Sequence, residues 1–494
     1  MAAINPTTAS SSPSELTAPA QTYRGPFAIM TVLFFMWGFM TVFNDILIPR
    51  FKEAFTLDYY HAMFVQLAFF GAYFIGSLTY FIISATAGDP IAKIGYKNGV
   101  VVGLLIAATG SALFWPAATK LSYSLFLAGL FIVGLGFAML QIAANPYVTI
   151  LGPERTASSR LNLAQAFNSV GTTIGPLIGG YLIFEYFAKT GVSGADSVKV
   201  PYLAFCIVFL TLAAVFFCIH LPHVGEGKIE PGMGALKHPH VQLGVLAIFM
   251  YVGGEVSIGS TIISFLGQPG VAGLSTVEAS QYVSLFWGGM LIGRFMGAVE
   301  LSEMKKLNKQ LFMMGIPVLG FGLLLVSRSW DAGNQRFDFA AGWGIVKHYL
   351  PLLVLCWVLF QFGRALAGRT LLIFGATIVA LLAISMMEGG KLAMWCIVGI
   401  GLFTSIGWPN IFSLALDGMG VYKSQVSSLL VMAVLGGALL PPLQGKIADL
   451  LIKGGNEHGL QISYIVPLIA YAYVAFYGWM GHRIGRKTSP GIGL

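Results

Sequence analysis

Gln141 and Asn145 interrupt a long apolar run, residues 121–153, that contains no Asp, Glu, Lys or Arg. Two large amides four residues apart share one helical face. Lipid has no use for them, so that face meets another helix or a polar cavity. Segment 5 repeats the pattern with Gln165, Asn168 and Thr172. Segment 1 carries Trp37, Thr41, Asn44 and Asp45 at spacings of three and four, close to one face. Amides both donate and accept hydrogen bonds, and an aromatic face packs on the apolar side of a pyranose ring. Three helices with such stripes are expected to wall a cavity for a neutral, hydroxyl-rich solute.

Charge in an apolar segment is expensive and therefore informative. Asp45 ends segment 1, and Glu255 stands in the middle of segment 7, in YVGGEVSIGS. Either carboxyl suits proton exchange, and Asp45 with carbonyl oxygens suits sodium as the alternative ion. No other metal is expected, and no cofactor. Trp287, Trp408 and Asn410 are candidates to face the solute from the second half. Asp89 and Lys93, in the loop after segment 2, and Arg294, after segment 8, are candidates for a gating loop that locks helix ends by ion pairs. HExxH, GxSxG and Walker signatures are absent from the sequence, which argues against an enzyme.

These residues need a scaffold, and composition names its class. The chain has 494 residues, 56% hydrophobic and 10% charged, against about 25% charged in soluble domains. Apolar runs of spanning length recur along it. The expectation is an all-α polytopic membrane protein, since barrels show short alternating strands instead. The net charge of +8 sits in short loops, as topology requires, and does not point to nucleic acid. Cys206, Cys218, Cys356 and Cys396 lie in apolar segments without a CxxC pair.

Fourteen apolar runs are visible, and an internal repeat explains them. FFGAYFIG (69–76) resembles FWGGMLIG (286–293), an offset of 217. VGLG (133–136) resembles VGIG (398–401), an offset of 265 that also maps Asn145 onto Asn410 and Pro176 onto Pro441. The growth in offset places an insertion of about 48 residues in the second half, read as two short helices near 310–327 and 348–363. The expected organisation is a disordered tail at 1–26, a six-helix bundle at 27–221, a cytoplasmic linker at 222–240, a second bundle at 241–483 with the insertion at about 301–368, and a tail at 484–494. The first apolar run is expected to be a retained helix, because the tail lacks the basic start and short apolar core of a signal peptide. More than half of the 28 Lys/Arg fall on the side of the termini, which predicts both termini inside. Two six-helix repeats running in the same direction describe the major facilitator fold.

WGFMTVFNDILIP (37–49), QIAANPYVTILGPE (141–154), LNLAQAFNS (161–169), YVGGEVSIGS (251–260) and GWPNIFSLAL (407–416) resemble the fucose–galactose–glucose symporter family of that superfamily, most of all its glucose/galactose transporters. The resemblance implies that Asp45 matches an acidic residue needed for coupling. It also implies that Gln165 and Asn168 match sugar-contacting amides. One position departs: Gln141 stands where fucose members carry a second essential glutamate, and a glutamine carries no proton. Coupling then falls to Asp45, to Glu255 or to sodium.

The expected function is cation-coupled import of a hexose by alternating access, with the proton favoured over sodium. The partners are a monosaccharide, the ion and the lipid bilayer, in a monomer of the bacterial inner membrane. The alternatives are a facilitator for another small polar solute, and a membrane sugar sensor or enzyme.

Overall fold

The structure, a computed structural model, describes residues 22–41, 51, 54–56, 64–180, 194–219, 232–331 and 336–485. Asn44 and Asp45 lie outside the described residues.

The first half contains α1 (Arg24–Thr41), α2 (Phe64–Ala87), α3 (Pro90–Ala112), α4 (Tyr123–Ile150), α5 (Ala157–Gly180) and α6 (Lys199–Cys218). The second begins with α7 (Pro239–Gly267) and α8 (Thr276–Glu300). There follow α9 (Lys306–Ser329), α10 (Phe339–Val346) and α11 (Leu350–Gly363). The chain then forms α12 (Ala367–Met387), α13 (Gly390–Thr404), α14 (Gly407–Leu416), α15 (Lys423–Met432), α16 (Gly436–Lys453) and α17 (Ile465–Trp479). Connectivity puts residues 22–23, residues 480–485 and the turns after α2, α4, α8, α11 and α14 on one side, called here the terminus side.

Among the described residues, 13 stretches are long and apolar enough to cross a bilayer. Helix α5 adds another, with 24 residues and a span of about 36 Å at 1.5 Å per residue. Its amides and hydroxyls lower its hydropathy, and they are the residues assigned above to a cavity wall. Polar caps set the helix starts. Asp89 accepts from Ile91 N (2.8 Å) and Ala92 N (3.4 Å) at the start of α3. Ser275 and Glu278 form a capping box on α8. Arg160 fixes the end of α4: its guanidinium is buried and donates to the carbonyls of Val148 (3.0 Å), Gly152 (3.1 Å) and Thr149. These are carbonyls that a helix C-terminus leaves without partners.

The insertion differs from its expected form. Its arms are not short: residues 306–329 and 339–363 are both of spanning length. Asp338 caps α10 through Ala340 N (3.1 Å) and Ala341 N (2.9 Å), so the helix begins directly after a polar turn. A 3-10 turn at Lys347–Tyr349 then joins α10 to α11. Strands Trp330–Asp331 and Arg336–Phe337 pair antiparallel across the tip. The hairpin lies outside the two bundles. Tyr349 donates to Leu285 O of α8 at 3.0 Å, and Gln310 bonds Gln361 across the hairpin at 3.3 Å. Val318 and Leu319 of α9 stay about seven-tenths exposed, a surface suited to lipid. Asp89 and Lys93 also differ from the expected loop: Asp89 caps α3 and Lys93 lies within it, since helix resumes within two residues of α2.

Candidate functional site

A cavity of about 190 Å³ lies between the halves. Trp37 and Thr41 of α1, Tyr73 of α2, Gln141 of α4 and Gln165, Asn168 and Thr172 of α5 line it from the first half. Tyr251 and Glu255 of α7, Arg294 of α8 and Trp408 of α14 line it from the second. Both carboxylate and guanidinium belong to the second half. Among the described residues no salt bridge joins Glu255 to Arg294; the two charges share the cavity wall without contact.

Close helix approach places the first-half wall. A methyl group on Gly171 would meet Phe39 N at 2.6 Å, so α5 can reach α1 only with glycine there. Asn168 Nδ2 then donates to Phe34 O at 3.0 Å. This contact sets α5 beside Trp37, whose Nε1 donates to Tyr73 Oη at 3.3 Å. Phe34 and Phe137 hold the indole edge-on, with centroids 5.5 and 6.4 Å away.

Tyr251 and Trp408 shape the opposite wall. Tyr251 donates to Thr404 O at 3.1 Å, and Trp408 lies against Phe412 with ring centroids 5.7 Å apart and the planes tilted by 33°. Two cavity atoms are buried without a partner among the described residues: the Gln141 Oε1 acceptor and the Trp408 Nε1 donor. A buried polar atom left unpaired costs about 1–3 kcal/mol, so a ligand with hydroxyls that both donate and accept gains by entering.

Contacts between the halves gather on the terminus side and close the cavity there. In one seam, α5 meets α8 and α14. Asn162 Nδ2 donates to Asn410 Oδ1 at 2.8 Å, Ser158 and Ser413 share a bond of 2.5 Å, and Ser159 donates to Ala298 O at 2.6 Å. Arg294 donates to Ser169 Oγ in the first half and to Ser405 O at 3.3 Å in its own. In the other seam, α2, α3 and α4 meet α15. Asp89 accepts from Tyr80 at 2.5 Å and from Ser424 across the seam. Gln425 Nε2 donates to Ser84 Oγ at 3.4 Å, and Ser427 donates to Gln141 O at 3.3 Å.

Trp37, Gln141, Gln165, Asn168, Glu255 and Trp408 thus meet in one cavity. Asn145, Asn410 and Trp287 do not line it. Asn145 is fully buried below Gln141. Asn410 is spent on Asn162 and on Ala367 O at 3.4 Å. Trp287 is half-exposed beside Phe286. Arg294 is a correction: it is no loop residue but a buried one, lining the cavity and bridging the halves. Lys93 is exposed and donates to Ala87 O at 2.6 Å, off the seam. Sequence reasoning missed Tyr73, Tyr251 and the phenylalanines of α2. In a membrane helix an aromatic residue that meets a cavity and one that meets lipid carry the same hydropathy.

A model of the Major Facilitator Superfamily matches residues 27–367. A glucose/galactose transporter of Brucella abortus is 39% identical over 475 residues, covering 94% of this chain and 96% of its own. The L-fucose-proton symporter of Escherichia coli is 28% identical over 483 residues, 93% of each chain. Among solved structures, the transporter FucP in the outward conformation superposes with a TM-score of 0.69 at 28% identity, covering 94% of this chain and 99% of that one. A bacterial homologue of the iron transporter ferroportin shares the fold at a TM-score of 0.60 and 12% identity. The chain is a multi-pass membrane protein of the major facilitator superfamily and belongs to its fucose–galactose–glucose symporter family.

Proposed function

We propose that this protein imports a hexose of the glucose/galactose type by proton-coupled symport, through alternating access of the cavity. The supporting observation is the wall itself. Gln141, Gln165 and Asn168 offer neutral donors and acceptors, Trp37 and Trp408 offer aromatic surface, and two of the polar atoms await partners. The glucose/galactose and fucose transporters it resembles carry such solutes by name.

Asp45 and Glu255 are the groups for the coupling ion, with sodium as the alternative to the proton. Glu255 sits on the cavity wall beside Tyr251 and in the field of Arg294, so a proton bound there and a sugar bound in the cavity act on each other. By linkage, whatever the ion adds to sugar affinity, the sugar adds to ion affinity. The closed side is the terminus side. With both termini in the cytoplasm of a bacterial cell, the cavity faces outward, across an inner membrane, in a protein that works as a monomer.

Asp45→Asn separates coupling from binding. It should exchange labelled sugar across liposomes yet fail to concentrate it; undiminished uphill uptake would remove Asp45 from coupling. Gln165→Ala should weaken hexose binding roughly tenfold, the effect of about 1.4 kcal/mol. Unchanged affinity would take Gln165 out of the site.

A further inference from the structure

Asn145 and Asn410 occupy equivalent positions of the repeat, yet the fold treats them differently. Asn410 is a paired amide, bonded to Asn162 and to Ala367 O. Asn145 is 0% exposed, and neither its Oδ1 nor its Nδ2 has a partner among the described residues. It follows Gln141 by one helical turn, on the same face, toward the terminus side. Pro146 follows it and has no N–H, so the carbonyl of Ile142 lacks its helical donor. Facing α4 across the seam is α15, whose Ser424, Gln425, Ser427 and Ser428 are all buried. Ser77 Oγ of α2 is a further buried atom without a partner among the described residues.

We propose that Asn145, with the hydroxyl and amide row of α15, forms a second, transit subsite for a neutral polyhydroxylated solute, reached as the terminus side opens. The subsite rests on the sugar transport proposed above and extends it along the path. The buried amides of Asn410, Asn162 and Gln444 each keep at least one atom bonded. Asn145 instead presents a donor and an acceptor together, which matches two neighbouring hydroxyls. Apart from Ser424, whose partner is the Asp89 carboxylate, the α15 row is neutral, so it holds a sugar without trapping an ion. Its place one turn beyond Gln141 lets a sugar leave the cavity by exchanging one amide for the next.

The test uses the full-length protein in liposomes of one orientation, with labelled D-glucose and D-galactose as probes. Half-saturation is measured separately from the terminus side and from the opposite side. Asn145→Ala should raise half-saturation on the terminus side about tenfold. On the opposite side it should stay within twofold while the maximal rate falls about tenfold, as detailed balance requires. Asn145→Ser, which keeps a donor and an acceptor, should recover most of the loss and guards against a fold defect in the alanine variant. Equal changes on both sides, or none on the terminus side, would overturn the subsite. Equilibrium binding of each sugar to the unaltered protein separates the two levels. Binding there with an unchanged terminus side in Asn145→Ala sinks the subsite alone, whereas no hexose binding at all sinks the transport proposal and the subsite with it.

Discussion

The two seams that close the cavity are built on opposite terms. Where α5 meets α8 and α14, most buried polar groups have found partners, among them the charged Arg294; Asn162 Oδ1 and, at the cavity edge, Trp408 Nε1 are the exceptions. Where α2 and α4 meet α15, the side-chain partners lie around Asp89 and Gln425, and Ser427 adds one bond to the Gln141 backbone carbonyl. Further in, Gln141 Oε1, Ser77 Oγ and both amide atoms of Asn145 lack partners among the described residues. A paired seam resists separation. An unpaired one gains hydrogen bonds when water or solute enters. A transporter needs both properties, and here the two seams divide them.

The contrast can be broken, most forcefully at Arg294. Arg294→Ala removes the charged donor that ties Ser169 to the second half. Hydrogen bonds to charged groups contribute about 1.5–3 kcal/mol, so the equilibrium should move roughly tenfold to hundredfold toward the form open on the terminus side. Alkylation of a cysteine placed at Ser413 reads this, and unchanged labelling would show that Arg294 does not hold the seam. Asn410→Ala should act in the same direction by about 1 kcal/mol, roughly fivefold. Asn145→Ala, at the equivalent position of the repeat, should act in the opposite direction, because it deletes a buried amide without partners and so favours the closed form. Labelling that rises in both variants would erase the difference between the seams. The smallest effect belongs to the Arg155–Glu303 ion pair, which is exposed on both sides. Exposed pairs contribute under about 1 kcal/mol and are screened by salt. Glu303→Gln should change labelling by less than about fivefold, and by less still in high salt.

Much of this architecture is legible in the sequence because membranes impose simple rules. Lipid forces helices, charge marks loops, and the shift from 217 to 265 residues between repeat motifs locates the insertion. The cavity is legible where amides recur at helical spacing, as in Gln165 and Asn168. The same signal misplaces Asn145 and Asn410, since an amide in an apolar helix says only that it avoids lipid. It does not say whether a ligand or another side chain satisfies it. Arg294 reads as a loop charge because it stands at the repeat equivalent of the charged turn after segment 2. Its helix continues to Glu300 and carries the guanidinium into the protein. The first insertion arm reads as short because Lys306, Asn308 and Lys309 look like loop. They form the first turn of α9, at the water-facing end of a spanning helix.

Uptake by the purified, unaltered protein in liposomes tests hexose symport most directly. Labelled glucose, galactose and fucose are offered under a proton gradient and, separately, under a sodium gradient. The predicted result is accumulation of glucose or galactose above its external concentration under the proton gradient, collapsing when that gradient is dissipated. Equilibration without accumulation under either ion would contradict symport, and exclusion of all three sugars would contradict the assignment of the cavity.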